Sequence, residues 1–426
     1  MKYLILCISL LASVVIQAQL AADSITIGPG YANQVWYSFN DGELESEPRN
    51  NWDLGFEIQG FTASILFNYN SGGQIWVYPS GDTSDWQTID TTGLITWIPV
   101  LNNLEDWSEG ALNRNPDPDD NTDLGWGIYN TVTHHVVGDS LFVLQTGAGD
   151  YKKLWIEMLA GGTYSFKLAN LDGSAEISRE IVKSNFPDKN FAYYSIDNDE
   201  ELDREPLNTS WDLLFTRYML YYPGWGVQGA TGVLQNAGLT AAMVYPVDTV
   251  ETFKDFESAT FESRINVINH DWKDINFQTF QWDIQDSLVY FVYAKDGKLW
   301  KMVFTGFGGS SNGQYNFMKE EIEIIGGGDT NDSTTGVQHI PSQPLLYLYP
   351  NPSTASQQVT LVYDLKNEEE GMVSIIDIHG KEVYTLTLRG GGLQTQTLST
   401  EVLTNGLYFV RIESGSSTQV DKLVVR

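Results

Sequence analysis

Two histidines stand side by side in "TVTHHVVGDSLF", residues 131–142, and imidazole is the commonest side-chain ligand for transition metals at neutral pH. His134 and His135 read as strand residues. Neighbours in a strand face opposite sides, so at most one of them can ligate a given metal unless the backbone bulges. His270, a third imidazole, precedes Trp272, while His379 falls at a turn and His339 in a linker, where polarity alone accounts for them. The acidic loop "NPDPDDNTDLG" (115–125) sets Asp117, Asp119, Asn121 and Asp123 at alternate positions, the spacing with which a calcium loop presents oxygens. Thr122 stands where such a loop has its glycine, and Ile128 where it has its bidentate glutamate, so solvated acid is the competing reading. "DNDEELD" (197–203) repeats the spacing with no better ending.

Asp53 and Asp212 follow tryptophans in matched positions, and paired carboxylates could serve as acid and base on a glycan. They alternate with apolar residues, however, so a structural hydrogen bond within a sheet or turn is the simpler role. No nucleophile elbow, zinc-protease helix motif or phosphate loop occurs, and no catalytic residue is assigned. Cys7 is the only cysteine and lies in an N-terminal apolar run, which leaves no thiolate site or disulfide beyond it.

The elements that must position these groups are strands. In "WDLGFEI" Trp52, Leu54, Phe56 and Ile58 point one way and Asp53, Gly55 and Glu57 the other. Trp211, Leu213 and Phe215 repeat the pattern, and "LVYFVYAKDGKLWKMVF" reads as a hairpin turning at Asp296-Gly297. No amphipathic helix is evident, so an all-β chain is expected. "VWYSFNDGELESEPRNNWDLGF" (35–56) returns as "AYYSIDNDEELDREPLNTSWDLLF" (192–215), and both copies close on an Asp-Ser-Leu hairpin carrying "KLW". Aligned through Trp126 and Trp272, the histidine pair falls opposite Phe280 and Gln281.

These signals predict a signal peptide over 1–18, tandem β domains over 19–170 and 171–325, a linker over 326–344 and a last domain over 345–426. All 13 tryptophans lie at or before Trp300, and most of the net charge of −31 belongs to the body. That charge argues against nucleic acid as a partner, and no later apolar run is long enough for a membrane helix. Trp76, Trp86, Trp97 and Trp107 fall in a loop-rich stretch, where exposed rings could stack on sugars.

The last segment carries "LYLYPNPS", "VSIIDIHGKEVY", "LTNGLYFVRI" and a terminal "KLVVR". It resembles the type A C-terminal sorting domain of the Bacteroidetes type IX secretion system. The resemblance implies a small β-sandwich, export across the outer membrane through that machinery, and sorting motifs at Pro350, Asn351, Pro352, Gly380, Gly406, Tyr408, Lys422 and Arg426. The body carries "WYSF" and "YYSI", "NWDLGF" and "SWDLLFTRY" with Arg217 and Tyr218, and the closing hairpins. It is similar in these to the HmuY family of secreted haem-binding proteins. That similarity implies a haem held between axial His or Met side chains, with His134 or His135 in the first copy and His270 with Met219 or Met243 in the second as the residues available. The family's usual axial positions map onto neither copy.

A secreted or surface-held, non-enzymatic binding protein is therefore expected, with haem, calcium, a small molecule or a glycan as possible ligands. A glycan-acting enzyme or an adhesive surface protein is the alternative.

Overall fold

A computed structural model of the chain describes residues 20–60, 62–79, 82–222, 226–323, 345–349, 353, 358–365, 370–377, 381–389, 393–399, 403–404, 406–414 and 417–425. The expected signal peptide and linker lie outside the described residues. What is described is all-β, with helical turns of only three to five residues. None is long and apolar enough to cross a membrane.

The opening strand of the first half, Asn33–Ser38, does not pair with its own Trp-Asp strand. It pairs with Leu213–Tyr222 of the second half, with Tyr37 opposite Leu213 and Val35 opposite Phe215. In return the second opening strand, Phe191–Ser195, pairs with Leu54–Glu57 of the first half, with Ala192 opposite Phe56. The larger sheets obey the same rule. Ala21–Thr26 lies antiparallel to Gln314–Ile322, so the first described strand covers the edge of the body's last.

The packed cores are thus offset from the sequence halves 19–170 and 171–325. One core runs from Leu54 to Ile196. The other joins Ile25, Ile27, Val35, Tyr37 and Phe39 to residues from Leu213 to Phe317. The boundary at 170/171 falls inside a hairpin, because Thr163–Asn170 pairs with Ile177–Val182. Periodicity identifies strands but cannot say which partner each one takes.

In the C-terminal segment, the sheet holding Gln358–Asp364 and the sheet holding Glu370–Asp377 and Gly406–Ser414 share one core, from Leu346 and Val359 to Val410 and Leu423. That is a small β-sandwich. Tyr408 is buried and its hydroxyl donates to the Thr404 carbonyl at 2.9 Å, a tyrosine corner that fixes the start of its strand. Gly406 opens the same strand opposite Val425. Lys422 pairs through its backbone with Phe409. Pro350, Asn351, Pro352, Gly380 and Arg426 lie outside the described residues.

Ile27 follows the first strand, is fully buried and belongs to the second core. Ile27→Ala should cost about 2–5 kcal/mol of stability, the loss typical of a core isoleucine, despite its place at the chain's beginning. Denaturant unfolding measures this, and a loss near zero would mean that the first strands are dispensable.

Candidate functional site

Asp53 and Asp212 sit where the strands are exchanged. Each is almost fully buried. The Asp53 N–H donates to the Tyr194 carbonyl (2.9 Å), and its carboxylate accepts from the Ile196 N–H (2.7 Å). The Asp212 N–H donates to the Tyr37 carbonyl (2.8 Å), and its carboxylate accepts from the N–H groups of Phe39 (2.8 Å) and Lys295 (2.7 Å). Both carboxylates accept from the backbone amide just past an exchanged strand, and Asp212 also from the Lys295 turn of its own unit, so they lock the fold and present no free acid and base. Burial raises both above the ordinary carboxylate value, Asp212 to about 6.

Two asparagines complete the locks. Asn68 Nδ2 donates to the Arg49 and Trp52 carbonyls, both at 2.8 Å. Asn236 Nδ2 donates to the Asn208 and Trp211 carbonyls, both at 2.7 Å. Sequence reasoning passed over both. Their common position directly after the strand that pairs with the Trp-Asp strand was the available signal.

His134 and His135 are not in a strand but in the turn between Gly127–Tyr129 and Val136–Gly138. The Asn130 side chain caps that turn by accepting from the N–H groups of Val132 and Thr133, and His134 takes a left-handed φ of 58°. In the second unit Asn276 accepts from Gln278 and Thr279 in the same way, and Phe280 takes φ 55°. The slot of His134 therefore holds a phenylalanine in the other unit, as the alignment places it. His134 Nδ1 hydrogen-bonds the Tyr129 hydroxyl at 2.6 Å. His270 lies in the other unit with Nδ1 against the Tyr218 hydroxyl at 3.0 Å. None of the three histidines lines either cavity described below, and Met243 is half-exposed. Of the candidate axial residues only Met219 lines the two cavities, and no histidine faces it there.

The acidic loop gathers no cation site either. Asp117 Oδ1 accepts from the Asp119 N–H, and Asp123 accepts from the N–H groups of Asp117 and Gly125. Asp119 and Asn121 are turned to solvent. Asp199 of the second acidic loop pairs with Arg179. Among the described residues no group of three or more His, Cys, Asp or Glu converges as metal ligands would.

Of the four loop tryptophans, Trp76 and Trp86 are buried and Trp97 packs edge-on against Tyr78. Trp107 crosses to the other unit, donating from its indole N–H to the Gln235 carbonyl at 2.8 Å. The repeated "KLW" is also displaced. Matching bulges after Ile156 and Phe304 equate Lys153 with Lys301, not with Lys298. Both lysines are fully buried and donate to carbonyls of the preceding long loops, at Trp86 and Glu251.

The seam between the units is where a ligand has room. A narrow cavity of about 80 Å³ is lined by residues of both units, among them Trp52, Asn102 and Thr216. A larger groove of about 510 Å³ shares Tyr69, Arg217 and Met219 with it. Arg217 and Met219 come from an asymmetric feature. In the first unit the Trp-Asp strand and its partner have four and three residues, whereas in the second each has ten. The surplus is an arm that reaches across the seam, packs Met219 against the first unit's core and accepts a hydrogen bond from Asn70 Nδ2 at the Arg217 carbonyl (2.7 Å).

Beneath the seam Arg204 is buried over the rings of Trp36, Trp52 and Tyr193. Glu205 beside it accepts from the Phe191 N–H and the Tyr193 hydroxyl, both at 2.9 Å, and burial raises its carboxyl to about 7.

Residues 347–426 match the secretion system C-terminal sorting domain family. No curated protein matches the chain. Among solved structures, one from work on the host cell surface retention of a 1.5-MDa bacterial ice-binding adhesin is 11% identical, with 68% of this chain and 90% of that one covered and a TM-score of 0.15. The BSP domain of a biofilm-associated protein is 10% identical, with 96% and 81% covered and a TM-score of 0.17. Neither likeness is close enough to inform the body.

Glu205 gives a pH signature. Its folded value of about 7 exceeds the ordinary 4.5, so the folded state holds the extra proton and the stability it contributes at low pH is lost as pH rises through that window. Glu205→Gln should flatten the fall in unfolding free energy between those limits by on the order of 3 kcal/mol. Parallel pH slopes for the two proteins would contradict the assignment.

Proposed function

We infer from the sorting domain that the chain is exported by the type IX secretion route, to the cell surface or the extracellular space. We propose that the body so delivered is a non-enzymatic binding protein that takes its ligand at the seam between its two units. The observation that carries this reading is the arm formed by the surplus length of Leu213–Tyr222 and Gly226–Gln235. Repeats that otherwise keep the same locks, capped turns and buried lysines differ at this hairpin, and the difference lines both cavities. Clefts between units are common ligand sites because two rigid walls can meet around a guest. Catalysis draws no support from Asp53 and Asp212, whose lone pairs hold the fold together. An adhesive role has one feature in its favour: Val132, Phe277 and Phe280 stand exposed on the two capped turns.

Haemin titrated into the mature protein should give no saturable Soret band, whereas a library of small molecules and oligosaccharides should contain compounds that raise the unfolding temperature. Met219→Trp, which fills the seam, should abolish that rise. A stoichiometric Soret band lost in His134→Ala or His270→Ala would replace the seam with a haem site. Glycan hydrolysis lost in Asp53→Asn with the fold intact would make the protein an enzyme.

A further inference from the structure

The chain has 24 lysines and arginines against 55 aspartates and glutamates. Arg217 nevertheless has no carboxylate partner. Among the described residues its guanidinium makes no hydrogen bond or ion pair, and neither cavity that it lines contains an Asp or Glu. A second arginine lies close by. Arg49 is half-buried and donates from Nη1 to Asn70 Oδ1 at 3.0 Å, while Asn70 in turn holds the Arg217 backbone. Burial and the neighbouring Arg217 charge lower the Arg49 guanidinium from its ordinary value, so the two positive charges feel each other across Asn70. An uncompensated pair of like charges raises the energy of the empty site and is relieved by an anion.

The neighbouring strand leaves room for the guanidinium. A Cβ at Gly229 would lie 2.2 Å from Arg217 Nε, so the absence of a side chain there lets the guanidinium lie across the hairpin toward the groove. Beside it the groove is walled by Tyr69, Pro99, Met219, Tyr221 and Val227, with Gln74 and Gln228 as its other polar side chains. We propose that the groove binds an organic carboxylate with a ring body, its carboxylate taken by the planar fork of Arg217 and its ring held against Tyr69, Met219 and Tyr221. The inference rests on the seam reading and names the class of ligand. Acidic sugars and aromatic acids share this chemistry.

The test is calorimetric titration of the mature full chain at low salt with galacturonate and benzoate, each beside its neutral counterpart, galactose and benzamide. At least one carboxylate should bind, its neutral counterpart should not, and added salt should weaken binding. Which acid binds separates the two sources. Arg217→Gln and Gly229→Val should each weaken binding about tenfold or more with the unfolding temperature little changed, and Arg217→Lys should fall between. Equal binding of the neutral counterparts, or an unchanged affinity in Arg217→Gln, would overturn the proposal. So would a failure of both carboxylates to bind. If Met219→Trp still abolished stabilisation by neutral library compounds in that case, the seam reading would stand without the anion. If no compound stabilised the protein, both would fall.

Discussion

Everything in the body depends on a buried carboxylate that holds a strand belonging to the other half of the chain. Asp53 ties down Ile196, and Asp212 ties down Phe39. A backbone amide buried without a partner is costly, and here the partner is supplied by a residue remote in sequence. Each unit is therefore incomplete until the other half delivers its opening strand. Ala21–Thr26 pairs with the body's last strand and becomes the edge of that sheet, so the chain's two ends are tied together there. Closure of this kind is made of non-local contacts, which form late and cooperatively.

Symmetry in the locks throws the asymmetry into relief. Asn68 and Asn236, Asn130 and Asn276, Lys153 and Lys301 keep the same partners in both units, because each satisfies backbone groups that both copies share. The hairpin of Leu213–Tyr222 and Gly226–Gln235 joins its own unit's core at Leu213, Phe215 and Val233, but its surplus residues have no counterpart in the first unit. It spends its extra length on the seam, where it brings a cation with no carboxylate partner into an acidic protein. Ligand pockets commonly combine largely preformed walls with a few placed polar groups, and the seam has both.

Much of the scaffold was legible in the sequence and little of the site was. The alternation around Trp52 and Trp211, the Asp296-Gly297 turn and the C-terminal sandwich follow from local patterning, which is strong where one face is buried. The alignment of His134 with Phe280 also held, because an Asn-capped turn is a local structure. His134 was misread as a strand residue, since Asn130 diverts the chain into a turn that the apolar alternation hides. The "KLW" match misled by three residues, because the bulges that set the register leave no sequence mark. The strand exchange and the seam were illegible for a deeper reason. Pairing partners and the pockets between them depend on which strands meet, and periodicity does not encode that. Arg217 was visible only as part of a resemblance, and its lack of a carboxylate partner became apparent in three dimensions.

The most direct test of the closed body is native-state hydrogen exchange on the intact protein, which reads the free energy at which each strand opens. The amides of Ala21–Thr26, Asn33–Ser38, Leu54–Glu57 and Phe191–Ser195 should exchange through one common opening, equal to the global unfolding of the body. If the sheet joining Leu54–Glu57 to Phe191–Ser195 stayed protected while Ala21–Thr26 and Gln314–Ile322 opened together at lower energy, the two units would be independent domains and the interlocked fold would be wrong.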